Sequence, residues 1–199
     1  MFAWVLQLAS VQKVCCLPFA LYAGAMSAGK PTDSVSHLCP NCGLCCDSTL
    51  FRDAELQKGD DAKRLAKLGL PLEKKGQGKQ AFAQPCACFD GKFCGIYDDR
   101  PNRCRTFECG LLKKVEAEEI SAAAALKKIT EAKVLAGKVR GLLRSLGQND
   151  EQLALTKRYA QAMSAPIDLS DNEGDTESRG KLMLAVGELM QRVQRDFLK

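Results

Sequence analysis

Residues 39–46 read CPNCGLCC, four cysteines in eight positions with the last two adjacent. A thiol is a small hydrophobe that oxidises readily, so packing alone gives no reason to crowd four into one turn. Cys39-Pro-Asn-Cys42-Gly has the form of a metal-binding knuckle. Two cysteines three apart can direct both sulfurs at one ion, at about 2.3 Å for zinc. Pro40 stiffens the turn, and Gly43 can take a positive φ. That lets backbone N–H groups turn toward the sulfurs and offset thiolate charge. Cys45 continues the spacing as C-x2-C-x2-C, which also occurs in cluster-binding ferredoxins. Cys46 is the discriminating residue. Adjacent side chains in an extended or turning backbone point apart, so Cys45 and Cys46 do not comfortably share one mononuclear ion. Either one of them is idle, or they serve two different metals.

Enough thiols exist for the second option. Of eleven cysteines, nine fall between Cys39 and Cys109, and residues 85–109, PCACFDGKFCGIYDDRPNRCRTFEC, supply Cys86, Cys88, Cys94, Cys104 and Cys109. Gly91, between Asp90 and Lys92, is a turn signal that folds Cys86–Phe89 back beside Phe93–Tyr97. Pro101 blocks helix continuation and holds Arg100 extended. Arg100, Arg103 and Arg105 flank the proposed ligands and are either counter-ions for thiolate charge or a solvated basic surface. Tyr97 reads as a packing residue. The single histidine, His37, is either a further ligand or an exposed polar residue.

These positions resemble the YkgJ-type cysteine-cluster proteins of bacteria. The matching residues are Cys39, Cys42, Cys45 and Cys46, then Cys94-Gly-Ile96-Tyr97, Arg100-Pro101, Cys104-Arg105 and Phe107. By its distance to Cys94, Cys86 matches the family's intermediate cysteine, which leaves Cys88 as an extra; Cys109 matches the terminal position. The resemblance covers roughly residues 36–112. It implies a zinc- or iron-chelating domain with eight shared cysteines, hence Cys39, Cys42, Cys45, Cys46, Cys86, Cys94, Cys104 and Cys109 as metal ligands. Some relatives are linked to flagellin lysine N-methylation, but the match is to the cysteine domain alone.

The remaining composition sets limits. An apolar content of 46% allows a packed core, and the net charge of +5 does not demand an acidic partner. The basic residues are spread along helical segments, and the twelve aromatics form no stacking series, which argues against nucleic-acid binding. No uninterrupted apolar run is long enough to span a bilayer. No nucleotide-binding or hydrolase motif occurs. Residues 1–25 are apolar and end in Ala23-Gly-Ala25, a cleavage-like pattern, yet no basic residue precedes the first apolar run. Met26 opens a plausible cytosolic start, so the leader is either a start-site artefact or a signal peptide. In a reducing cytoplasm clustered cysteines bind metal or carry redox chemistry; in an oxidising compartment they pair as disulfides, and nine leaves one over. The spacing favours metal.

The expected fold is mainly α, with a small irregular cysteine-rich metal-binding domain and a C-terminal helical cap: an extension over 1–27, the cysteine-cluster domain over 28–112 and a helical region over 113–199. One or two short helices are expected within 47–80, around Leu56, Leu65, Leu68 and Leu70, ended by Gly69 and Pro71, followed by a loop at Gly76–Gly78. Ser121 caps a long helix that stops at Gly147 and carries Leu135, Val139, Leu142 and Leu146 on one face. Gly137 and Gly141 offer close approach to another helix. A third helix is expected over Asp150–Ala165, and residues 168–179 read as a solvated polar loop. The last helix places Met183, Val186, Met190, Val193 and Phe197 on a core or partner-helix seam, the surface for any protein partner or self-association. The functional expectation is a metal-binding protein that holds zinc, placed first, or an iron–sulfur centre. The alternatives are an iron–sulfur-dependent enzyme and a thiol redox module built on a Cys45–Cys46 disulfide.

Overall fold

The computed structural model describes residues 38–166 and 172–199. The apolar leader, Cys15, Cys16 and His37 lie outside the described residues. Eleven short and long elements follow in order: α1 (Leu38–Cys42), β1 (Asp53–Glu55), α2 (Ala62–Lys67), β2 (Glu73–Lys74), a 3-10 turn (Gly76–Gly78), β3 (Gln80–Ala83), α3 (Asn102–Thr106), α4 (Gly110–Glu116), α5 (Ala122–Ser145), α6 (Leu155–Ser164) and α7 (Asn172–Asp196). The fold is mainly α, as the sequence implies. No helix among the described residues is long and apolar enough to cross a membrane.

α5 is the spine, and its sequence explains both ends. The Ser121 hydroxyl accepts a hydrogen bond from the Ala124 N–H at 3.2 Å, satisfying a donor that has no partner within the helix. Leu146 closes the helix and Gly147 follows at φ +77°, the left-handed conformation that ends helices at little cost to glycine. Between them Ala125, Ile129, Ala132, Ala136, Val139 and Leu143 are buried. Their steps of four and three form one narrow seam.

Against this seam α7 packs Leu182, Ala185, Leu189 and Val193, all buried. That corrects the expected stripe: Val193 and Phe197 are inside and Val186 is half-buried, but Met183 and Met190 are 53% and 66% exposed. Two overlapping rows in α7 both step by three and four, and a shift of one residue turns the face by about 100°. The choice falls to the row carrying small Ala185 opposite the alanines of α5. It is fixed at one end by Asp196, buried and paired with Lys128 at 2.9 Å, and beside it by Arg192 with Glu131 at 2.5 Å. Gly137 and Gly141 face open space instead of a close helix.

Other expectations also shift. α7 begins at Asn172, inside the segment read as a solvated loop. There, Asp175–Arg179 and Glu177–Lys181 pair one turn apart at 2.9 and 2.7 Å. The buried Arg179 also donates to the carbonyls of Ala165 and Pro166. α6 starts at Leu155, not Asp150, because the Asp150 side chain turns the chain by accepting from Gln152 N–H. Leu155 N–H in turn donates to the buried Ser48 hydroxyl at 3.1 Å. Within 47–80 one helix forms, α2, capped by Asp61 accepting from Arg64 N–H at 3.0 Å. Asp53–Glu55 is a strand, and Leu56 follows it instead of entering a helix. The sheet order is β1-β3-β2, antiparallel throughout, with Asp53 opposite Ala83 and Glu73 opposite Ala81. Phe82 of β3 packs there with Leu65 and Leu70. The expected loop at Gly76–Gly78 is the tight turn between β2 and β3.

A second core joins the cysteine motif to the helices: Leu38 and Leu44 pack with Leu111, Val115, Ile129 and Phe197. Phe197 also fixes the end of the chain, since its carbonyl accepts from Gly110 N–H at 2.8 Å. A Cβ on Gly110 would meet the Lys199 carbonyl oxygen at 1.8 Å.

The α7 register gives a direct test. Leu182→Ala should cost about 2–5 kcal/mol in urea unfolding, whereas Met183→Ala should stay within about 0.5 kcal/mol of the parent. Comparable losses at both positions would mean that the seam is misassigned.

Candidate metal centre

CPNCGLCC begins in the single turn of α1 and then reverses. Gly43 sits at φ +71°, and Cys46 and Asp47 N–H both return to its carbonyl, at 2.9 and 3.0 Å. A side chain at Gly43 would be strained by that conformation and would place its Cβ 2.6 Å from the Phe89 ring. Glycine is required twice over. The tight reversal also aims backbone at sulfur: the Leu44 N–H donates to the Cys42 thiol.

The second segment is brought alongside by its own turn. Phe89 bridges to Cys94, Asp90 N–H donates to the Phe93 carbonyl at 3.1 Å, and Gly91 takes φ +96°. Cys86 N–H donates to the Cys46 carbonyl at 2.8 Å, joining the two motifs through backbone. Pro101 then opens α3, which carries Cys104. Cys109 precedes α4, and its sulfur accepts from Leu112 N–H at 3.4 Å. A thiol thus stands where serine or aspartate commonly caps a helix.

The helical half grips the first motif from outside. Lys133 and Arg140 are seven residues apart and therefore lie on one face of α5. Lys133 Nζ donates to the Asn41 carbonyl at 3.2 Å. Arg140 donates to the Asp47 carbonyl at 2.9 Å and to Thr49 Oγ1 at 3.1 Å, and pairs with the Asp47 carboxylate at 3.0 Å. Both ends of CPNCGLCC are held by one helix. Sequence reading missed these two residues because each looks like an ordinary solvated base, and only the fold places them opposite the motif.

None of the nine described cysteines forms a disulfide, and their mutual electrostatics sorts them. Burial pushes Cys45 strongly up, and the sulfurs of Cys42, Cys46, Cys109 and Cys39 add to it. Burial pushes Cys42 up to about 12, against which the Leu44 N–H works, with Cys109 and Cys39 as the acting sulfurs. Cys39, exposed at the surface, is raised by burial of its thiol and then by Cys109. Cys46 answers to different partners. Burial carries it to about 12, followed by Cys86, Cys94 and Cys104. Burial also takes Cys86 to about 12 and Cys104 to about 11, with Cys94 acting on both. Apart from Cys46, which also acts on its neighbour Cys45, the eight thiols named from sequence act within two groups, Cys39/Cys42/Cys45/Cys109 and Cys46/Cys86/Cys94/Cys104. Cys88 acts on Cys86, and its thiol lies 3.7 Å from the Leu68 carbonyl.

A cavity of about 720 Å³ is lined by seven of the eight thiols together with Phe51, Phe89, Phe107, Arg100 and Arg103. Among the described residues no three Cys, Asp, Glu or His side chains are drawn together as a closed metal cage. The donor chemistry fits zinc or iron: soft sulfur ligands in fours, with backbone N–H groups reaching Cys42 and Cys109.

A family model named CxxCxxCC, "Putative zinc- or iron-chelating domain", matches residues 38–133. Residues 38–133 are similar to that domain. The match spans just under half of the chain and ends at Lys133, so it takes in the first half of α5, including a residue that holds the cysteine turn. It reaches some twenty residues beyond the last cysteine, where the resemblance read from motifs stopped. No curated protein and no solved structure matched the chain.

A thiol raised above its ordinary value of 9.0 in the folded chain keeps its proton where the unfolded chain has lost it. Its contribution to stability is complete below about pH 9 and lost as pH climbs toward 12. The chelator-treated, reduced protein should therefore lose stability steeply over that alkaline window. Denaturant midpoints measured from pH 7 to 11 check this, and a flat profile above pH 9 would refute the burial of the thiols.

Proposed function

We propose that the CxxCxxCC domain chelates two metal centres, each held by four cysteine thiolates. Cys39, Cys42, Cys45 and Cys109 supply one; Cys46, Cys86, Cys94 and Cys104 supply the other. The observation that carries this reading is that Cys86, Cys94 and Cys104 act on Cys46, while Cys42, Cys109 and Cys39, beside Cys46 itself, act on Cys45. Neighbours in sequence do not easily bind one ion, and each has three further thiols acting on it. Four thiolates complete either a closed structural zinc site or an iron–sulfur cluster, so both metals suit the donor set. When bound, the metal would supply the cross-link that ties the two cysteine segments together.

The chain's residues do the rest. Gly43 permits the reversal that separates the two sulfurs, Lys133 and Arg140 hold its ends, and the N–H groups of Leu44 and Leu112 lower the cost of thiolate charge. The role is chelation that organises the fold or handles the metal.

Anaerobically prepared protein should contain two equivalents of zinc, or two clusters with the visible absorbance of iron–sulfur. Cys45→Ser and Cys46→Ser should each remove one equivalent, from different centres, while Cys88→Ser keeps both. Elemental analysis and absorption spectra decide the metal. Full stoichiometry in both vicinal variants would remove the basis for two centres.

A further inference from the structure

Two filled four-thiolate sites create an electrostatic difficulty that the chain must solve. Four thiolates around a divalent ion leave a net charge of −2, and charge of that size is costly to hold out of water without a partner. Here two such charges would be anchored on consecutive residues, whose Cα atoms stand about 3.8 Å apart. Each centre then repels the other, and filling one weakens the second unless a positive charge lies where both can feel it.

Arg100 stands in that place. It lines the cavity together with Cys39, Cys42 and Cys45 of one group and Cys46, Cys94 and Cys104 of the other. Its guanidinium is held there, stacked 3.6 Å over the Tyr97 ring, while its Nε donates to the Tyr97 carbonyl at 2.8 Å. None of the ion pairs among the described residues includes Arg100. The other nearby cations sit within one motif: Lys133 donates to the Asn41 carbonyl between Cys39 and Cys42, and Arg103 directly precedes Cys104 on α3. Acidic side chains lie nearby as well: Asp47 follows Cys46, and Asp60 accepts from Asn102 N–H at the start of α3.

We propose that Arg100 is a counter-ion shared by both four-thiolate centres and that it couples their loading. The proposal rests on the two-centre reading above. Arg100 is a positioning residue: it contributes no ligand atom, but sets how strongly either centre holds its ion and how far the first ion penalises the second. The Tyr97 ring keeps it from swinging into solvent.

The test uses the full-length reduced chain, zinc ions as the probe and a competing chelator to read each affinity. Single-centre backgrounds are made with Cys39→Ser/Cys42→Ser and with Cys86→Ser/Cys104→Ser. Arg100→Met should weaken zinc binding about tenfold in each background, within the range typical of coupling between sites. In the otherwise intact chain it should widen the gap between first and second ion. Arg100→Lys should restore part of the loss, and added salt should shrink the whole effect, which a merely structural residue would not show. Lys133→Met should weaken only the Cys39/Cys42/Cys45/Cys109 centre, and Arg103→Met only the other. An unchanged affinity, or a loss confined to one centre, in Arg100→Met while the parent takes up two zinc ions overturns the shared counter-ion. Uptake of fewer than two ions by the parent overturns the two-centre reading itself.

Discussion

The cysteine motif depends on the reversal at Gly43, where the N–H groups of Cys46 and Asp47 return to one carbonyl. Cys45 and Cys46 are joined by a single peptide unit, yet Cys86, Cys94 and Cys104 act on Cys46 while Cys42, Cys109 and Cys39 act on Cys45. The thiols around them come from two directions. Cys39 and Cys42 lie on the α1 side with Cys109 at the start of α4. Cys86, Cys94 and Cys104 come from the turn around Gly91 and from α3. The long α5 is needed as well, because a tight reversal at Gly43 has little apolar surface of its own and must be held by something rigid.

The sequence disclosed local turns better than the architecture. Cysteine spacing is a local signal, so the two cysteine clusters, the Gly91 turn and the positive φ of Gly43 could all be read directly. The ends of α5 were equally legible, because Ser121 and Gly147 act on their own backbone. What escaped was whatever depended on a distant partner. Lys133 and Arg140 reveal nothing until α5 is laid across CPNCGLCC. The buried face of α7 was misread by one residue because two rows of apolar side chains have the same period, and only the opposing alanines choose between them. Asp53–Glu55 lacks any strand pattern and becomes a strand because Gln80–Ala83 lies beside it.

The arrangement also shows how a domain with few large apolar residues can support a buried polar centre. Behind the Cys46 side Leu65, Leu70 and Phe82 form a small buried cluster, with partly buried Leu56, Leu72 and Ile96 packed against it. The Cys45 side rests on the larger cluster that includes Leu38, Leu44, Leu111, Ile129 and Phe197. The two halves of the domain are therefore unequally supported by hydrophobic contacts, and under the two-centre proposal a metal cross-link would matter more where the apolar support is thinner.

The docking of Phe197 against Gly110 carries an implication for biosynthesis. The wall behind the Cys39 side includes a residue made almost ninety positions after Cys109, the last of the nine described cysteines. A nascent chain will have exposed every one of these thiols well before Phe197 arrives to pack behind the first motif. Until then, that half of the domain is a set of accessible sulfurs without its hydrophobic backing, open to oxidants and to whichever soft ion arrives first.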